Sequence, residues 1–151
     1  MGEDRIDLTA YARGMLDENR YVVLGTADGD GVPWVSPVFY ALDGYSRVLW
    51  LSDPETRHSR NVAVQPRVSL VVFDSTVPIG GAKAVYMTGT VAIDEDALDA
   101  YNRGCLAKGA SAFTTEKVGE GRPFRLYSAT IAEHWVLDPT LPRDARTAVS
   151  P

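Results

Sequence analysis

The sequence has little of several residue types that many protein classes need. It contains one cysteine, Cys105, so a disulfide within the chain and a cysteine-based zinc cluster are both excluded. Its two histidines, His58 and His134, are too far apart for a metal motif of the HExxH type. No apolar run approaches the 18 residues that a membrane-spanning helix requires, and the first residues, MGEDRIDL, lack the apolar stretch of a secretory signal. We therefore expect a cytoplasmic protein without a metal site.

Positive charge is also scarce. The 151 residues include 15 Lys and Arg against 20 Asp and Glu, which gives a net charge of −5. Nucleic acids and anionic membranes attract basic surfaces, so we expect neither as a partner of this chain. Hydrophobic residues make up 45% of the sequence, enough for an ordinary folded core without disulfides.

The hydrophobic periodicity changes along the chain between the helical and the strand repeat. Proline and glycine clusters separate the segments and mark the turns. Asp53 and Pro54 are typical of a helix N-cap and first turn, and Pro37 interrupts one strand, which indicates an edge or a bulge. The patterns predict helices over 7–18, about 54–64 and from 94 onward, and strands over 21–26, 34–42, 47–52, 67–74, 83–93 and 124–137.

Six strands, mostly joined as hairpins, predict a mainly β protein: an antiparallel β-barrel with α-helices packed around it. Residues 1–138 form a single domain in this interpretation. The composition changes after Pro139, and 139–151 is expected to be an extended tail rather than a packed element.

The segment 51–61 is the first candidate for chemistry. A strand ends there and a helix begins, and hydroxyl, Arg and His side chains gather in the first turn. Helix N-termini favour anions, and the Arg57 guanidinium can bind a phosphate through two hydrogen bonds, so the segment suits a phosphate group. The competing interpretation is a solvated helix face on which Arg57 and Arg60 pair with nearby acids.

The second candidate is the proline-interrupted strand 33–40, whose backbone and aromatic side chains suit a flat heterocycle. The alternative is a barrel-edge strand with core aromatics. No nucleophile elbow, triad or pair of carboxylates occurs, so we assign no catalytic side chain. If the protein is an enzyme, a bound cofactor carries the chemistry.

Three segments in order, GVPWVSPVFY, VLWLSDPETRHSRN and QPRVSLVVF, resemble the FMN-binding split-barrel superfamily that includes the pyridoxamine 5′-phosphate oxidases. The resemblance continues less sharply through VYMTGTV and EHWVLDP. It implies a six-stranded split barrel, and a homodimer that holds FMN and a small-molecule substrate between its subunits. By position it implies these cofactor-binding residues: Ser36, Pro37, Val38, Phe39, Leu51, Ser52, Arg57, His58, Lys83 and Trp135.

The chain departs from the true oxidases in its substrate-binding positions. Ala41 stands in place of a lysine, and Ala84 in place of a flavin-contacting glutamine. Of the substrate-phosphate array only Tyr101 is kept, because the next two positions are Cys105 and Gly109, and the C-terminal Arg-x-His pair is absent. Without these partners for a phosphorylated pyridine, we predict that the protein is not a functional vitamin B6 oxidase.

Four functions remain open from the sequence. The first is an FMN-dependent oxidoreductase that transfers hydride between the flavin and a small molecule. The second is a reductase of the same fold that uses a deazaflavin, with Arg60 and Lys83 as extra cations. The third is a non-catalytic flavin- or haem-binding barrel, in which His58 or His134 is the axial ligand of haem. The fourth is a barrel with a structural or partner-binding role and no cofactor.

Overall fold

One curled antiparallel sheet organises the chain, and the computed structural model describes residues 6–113 and 115–151 of it. Residues 1–5, which belong to the predicted domain, lie outside the described part. The strands are β1 (Tyr21–Ala27), β2 (Pro33–Phe39), β3 (Ala41–Asp43), β4 (Arg47–Ser52), β5 (Arg67–Phe73), β6 (Ala84–Ile93), β7 (Arg125–Leu137) and β8 (Arg146–Val149). The α-helices are α1 (Leu8–Glu18), α2 (Arg57–Val64) and α3 (Leu98–Ala107), and short 3-10 turns cover Glu95–Ala97 and Thr115–Lys117.

The sheet order is β2-β1-β5-β6-β7-β4-β3, with β8 paired to the second half of β7. All pairings between these strands are antiparallel. The sheet curls into a split barrel, so the mainly β fold class predicted from the sequence is confirmed. The predicted number of six strands is wrong, because the described residues form eight.

One extra strand arises where the predicted strand 34–42 divides at Tyr40. The Tyr40 side chain is fully buried, and its hydroxyl donates to the Leu16 carbonyl at the end of α1, at 2.6 Å. Because the chain turns inward there, β2 pairs with β1 while β3 pairs with β4. β2 ends the sheet order, as Pro37 indicated.

The other extra strand lies in the segment expected to be an unpacked tail, and that expectation is wrong for Arg146–Val149. The Asp138 carboxylate accepts hydrogen bonds from the Thr140 backbone N–H and from the Thr140 and Thr147 hydroxyls. The Asp138 N–H donates to the Ala145 carbonyl at 2.9 Å. These bonds fold the chain back, so that β8 lies along β7.

Two hydrophobic clusters lie on opposite faces of β4 and β7. Val48, Trp50 and Tyr127 point into the barrel, where the Trp50 and Tyr127 rings stack with centroids 5.9 Å apart. The intervening residues, Leu49 and Leu126, point outward and are buried under α3. This alternation, which follows from the two-residue repeat of a strand, places α3 against the outside of the barrel.

Candidate functional site

A cleft of about 580 Å³ opens between the barrel and α3. Its barrel side consists of the end of β2, the end of β4 and the start of α2. Its other side consists of α3 and the segments that follow it. The lining residues are Pro37, Val38, Phe39, Leu51, Ser52, His58, Tyr101, Cys105, Ala110, Ser111, Phe113 and Phe124. The volume lies within the ordinary range for small-molecule sites, about 300–1,000 Å³.

The barrel side, which we call the β wall, has one polar corner. His58 is 8% exposed, and its Nε2 lies 2.8 Å from the Ser52 hydroxyl and 3.3 Å from the Thr56 hydroxyl. Burial lowers the pKa of the His58 imidazole, so the ring is neutral at physiological pH. His58 therefore contributes hydrogen bonding to the cleft and no positive charge.

The helix α2 starts at a different residue from the one predicted, and this start determines where the polar corner lies. Asp53 does not cap the helix: its carboxylate accepts from the Glu55 N–H at 2.8 Å and forms a separate turn. Thr56 is the N-cap, and its hydroxyl accepts from the Ser59 N–H. The helix thus begins at Arg57, three residues later than the sequence suggested, and His58 falls in its first turn facing Ser52.

Arg57 is the nearest cation in sequence to this corner. Its side chain does not line the cleft but is exposed, with the guanidinium carbon 4.2 Å from the centre of the Trp34 ring. This cation–π contact joins α2 to β2 and holds the guanidinium over the Trp34 ring. The sequence indicated only that the aromatic side chains of 33–40 suit a flat heterocycle, and the contact between Trp34 and Arg57 was missed.

The other side of the cleft, which we call the α3 wall, is aromatic. Tyr101 and Phe113 have ring centroids 6.3 Å apart, and Phe113 and Phe124 have centroids 6.1 Å apart in an edge-to-face arrangement. Cys105 is fully buried beside them. Burial raises the pKa of the Tyr101 phenol and of the Cys105 thiol, so both groups stay protonated at neutral pH.

The predicted cofactor-binding residues are distributed over three places. Six of them line the cleft: Pro37, Val38, Phe39, Leu51, Ser52 and His58. Ser36 and Arg57 adjoin these in sequence. Lys83 lines a separate cavity beside the loop after β7, and Trp135 lies on the outer face of the sheet. A single copy of the chain does not bring the ten residues together.

The outer face around Trp135 is a shallow apolar depression of about 290 Å³. Val35, Val71 and Tyr86 line it with Trp135, and Val35 is 65% exposed. Gly25 deepens it, because a Cβ at that position would lie 2.6 Å from the Ser69 hydroxyl oxygen. An apolar face of this kind is typical of a surface that another protein covers.

Several other features of the described residues bear on function. His134 Nε2 lies 3.0 Å from the Tyr45 carbonyl oxygen, and burial lowers the pKa of its ring. Within 6–113 and 115–151, no cluster of three His, Cys, Asp or Glu side chains has the geometry of a metal site. Among those same residues, no helix has both the length and the apolar character needed to cross a bilayer.

The split barrel, with a cleft between its strand ends and an outer helix, defines the class of protein. The model of the pyridoxamine 5′-phosphate oxidase family matches residues 8–135, and the chain belongs to that family. Among curated proteins none matches significantly.

Solved structures agree on the fold. A heme binding protein from Mycobacterium smegmatis superposes with a TM-score of 0.72 at 19% identity, over 97% of this chain. This chain spans 60% of that protein's length. HutZ, the heme storage protein from Vibrio cholerae, superposes with a TM-score of 0.63 at 18% identity, over 84% of this chain and 92% of that protein. An F420 reductase superposes with a TM-score of 0.60 at 18% identity, over 81% of this chain and 94% of that protein. At such identities the likeness establishes the fold alone.

Proposed function

We propose that this protein is an FMN-dependent oxidoreductase that works as a homodimer, with the cofactor in the cleft of each subunit. One observation carries the proposal: the end of β2, the end of β4 and the start of α2 line a single cleft. These are the segments in which the family resemblance locates flavin contacts.

The side chains of the β wall fit the parts of FMN. Pro37, Val38 and Leu51 give an apolar surface for a flat ring system. The Ser52 hydroxyl and the His58 ring supply hydrogen bonds for the polar chain between the ring and the phosphate. Arg57 supplies the positive charge for the phosphate, since His58 is neutral.

A second copy of the chain accounts for Trp135, which lies away from the cleft. β2 is an edge strand whose residues Trp34 and Val35 are 41% and 65% exposed. The apolar depression around Trp135 adjoins it through Val35. Burying this face against another subunit removes apolar area from water, and Trp135 is then available to the partner's cleft.

The chemistry belongs to the cofactor, since FMN supplies hydride transfer when it is bound. The chain's own contribution is to orient the ring, to hold the phosphate and to exclude water from the cleft. Tyr101 and Cys105 lie beside the cleft in their protonated forms, so neither acts there as a base.

A deazaflavin is the second candidate cofactor, because one neighbour of the same fold is an F420 reductase. Arg60, exposed one turn after Arg57, offers a further cation for a longer anionic cofactor. Haem is less well supported by the geometry, although two neighbours are named for it. The Nε2 atoms of His58 and His134 are both engaged in hydrogen bonds within the protein.

The test is a direct comparison of cofactors on one preparation. The purified protein is titrated with FMN, F420 and hemin, and its mass is measured by light scattering. We expect one FMN per chain with higher affinity than for F420 or hemin, and a dimer of about twice the 16.4 kDa chain mass. A protein that binds no FMN overturns the cofactor assignment, and a monomer overturns the two-chain site.

A further inference from the structure

The α3 wall carries an inference about the substrate, which rests on the proposed flavin function. The β wall accounts for the cofactor, but it leaves Tyr101, Phe113 and Phe124 on the opposite side of the cleft without a role. Their rings form a continuous series, with successive centroids 6.3 and 6.1 Å apart. Aromatic rings at these spacings present edges and faces to which another flat ring binds well.

The cleft is also uncharged among the described residues that line it. None of them is Lys, Arg, Asp or Glu, and His58 is neutral. An anionic ligand on the α3 wall would lose its hydration without gaining a partner of opposite charge. Placing a charge in such a site without compensation is strongly unfavourable, whereas an uncharged ring incurs no such cost.

Hydrogen bonds hold the backbone of the aromatic series in place. The Asn102 side chain accepts from the Phe113 N–H at 2.9 Å and donates to the Phe113 carbonyl at 3.1 Å. Two bonds between one amide and one residue fix the segment after α3 against the helix. Phe124 is positioned separately, because its N–H donates to the Lys117 carbonyl and its carbonyl accepts from the Gly119 N–H.

We propose that the α3 wall binds an uncharged, planar aromatic substrate, with Phe113 and Phe124 as its contact residues. Tyr101, which is 2% exposed, packs beside Phe113 and supports it. The role of Asn102 is to position Phe113. The series of rings, the uncharged lining and the two-bond attachment of Phe113 together distinguish this subsite from one built for a phosphorylated or carboxylated substrate.

The test compares two probes of similar shape that differ in charge, 2-naphthol and 2-naphthalenesulfonate. Binding of each is measured by calorimetry on the FMN-loaded protein and on the protein without added FMN. We expect 2-naphthol to bind at least about tenfold more tightly, because the sulfonate would lose its hydration in the cleft without gaining a partner of opposite charge. Equal or tighter binding of the sulfonate overturns the proposal.

Substitutions test whether 2-naphthol binds to the α3 wall. Phe113→Ala is expected to weaken 2-naphthol binding about tenfold, whereas Leu106→Ala, a change on α3 at a residue that is 63% exposed outside the cleft, leaves it unchanged. Ser111 is exposed and lines the cleft, so Ser111→Lys should bring the sulfonate's affinity up to that of the naphthol, and Ser111→Gln should not. Equal loss in Phe113→Ala and Leu106→Ala overturns the assignment to this wall.

The FMN titration of the same preparation separates the two proposals. Protein that takes up no FMN but still selects the neutral probe overturns the flavin assignment and supports the ligand class. Protein that takes up FMN but binds both probes alike overturns the ligand class and leaves the flavin assignment standing.

Discussion

The two walls of the cleft are built by different means. The β wall depends on short-range features: β4 ends at Ser52, α2 begins five residues later, and His58 returns to bond Ser52 at 2.8 Å. The α3 wall depends on contacts between segments distant in sequence, with the Lys108 ammonium donating to the Leu16, Asp17 and Asn19 carbonyls at the end of α1. The geometry of the β wall thus depends on the strand register, whereas the geometry of the α3 wall depends on how one helix packs against the barrel.

The largest effect is expected from a change that displaces α3 alone. Gly104 packs on β3 so closely that a Cβ there would lie 2.6 Å from the Ala41 Cβ. Gly104→Val should therefore push the helix outward and lower the free energy of unfolding by about 3 kcal/mol, measured by urea denaturation. It should also abolish 2-naphthol binding while the β wall keeps its FMN affinity.

Gly14→Ala is the matched control, since Gly14 lies in α1 with only the Glu18 side chain near its Cβ position, at 4.0 Å. Alanine there should raise the free energy of unfolding by about 0.5–1 kcal/mol through its better helix propensity. If Gly104→Val unfolds at the wild-type urea concentration, close packing does not fix α3.

The second-largest effect is expected from a change in FMN affinity at the β wall. Arg57→Ala removes the cation assigned to the cofactor phosphate, and a hydrogen bond to a charged group is worth about 1.5–3 kcal/mol. The FMN dissociation constant, measured by quenching of flavin fluorescence, should rise at least about tenfold, with 2-naphthol binding unchanged.

Arg67→Ala serves as the control for net charge, because Arg67 is exposed at the start of β5 and lines a different depression. An equal loss of FMN affinity in both variants would show that overall charge, and not the position of Arg57, governs binding.

A smaller effect follows from acidification and again involves the β wall. Burial lowers the pKa of His58 in the folded protein, so below about pH 6.5 the unfolded chain takes up a proton that the folded chain does not. The free energy of unfolding should therefore decrease as the pH falls from about 6.5 to the folded pKa of His58. His134 acts in the same direction, because burial lowers its pKa as well.

His58→Asn removes the first of these two contributions and keeps a polar side chain near Ser52. Urea midpoints measured from pH 8 to pH 5 should fall less steeply in this variant than in the wild type. Identical slopes would mean that protonation of His58 is not coupled to unfolding.

The contrast between the β wall and the α3 wall explains which parts of the structure could be predicted from the sequence. The strands follow from local periodicity and turn residues, which a sequence displays directly. The meeting of the β2, β4 and α2 segments was implied only by the family resemblance. The start of α2 was misplaced because Asp53 and Thr56 are both good N-caps, and only the bond from the Ser59 N–H to Thr56 selects between them. The burial of His58, which lowers its pKa, depends on packing and was missed.

The α3 wall was largely invisible in the sequence. Phe113 and Phe124 lie in a segment rich in turn residues, with no periodicity to indicate that both face one cleft. The signal that could have found them is the presence of two aromatic residues in an otherwise polar connection. β8 was missed for a similar reason, because its pairing depends on the bonds that Asp138 makes to Thr140 and Thr147.

The smallest effect tests whether the β wall is preorganised. Trp34 holds the Arg57 guanidinium by a cation–π contact, worth about 0.5–1 kcal/mol at an exposed site. Trp34→Leu should therefore weaken FMN binding by about two- to fivefold, and Trp34→Phe by less, because phenylalanine keeps an aromatic face. Fluorescence titration resolves this difference.

The double variant Trp34→Leu with Arg57→Ala separates positioning from direct contact. If Trp34 acts only through Arg57, its replacement has no further effect once the guanidinium is gone. An additive loss in the double variant would mean that Trp34 contacts the cofactor itself.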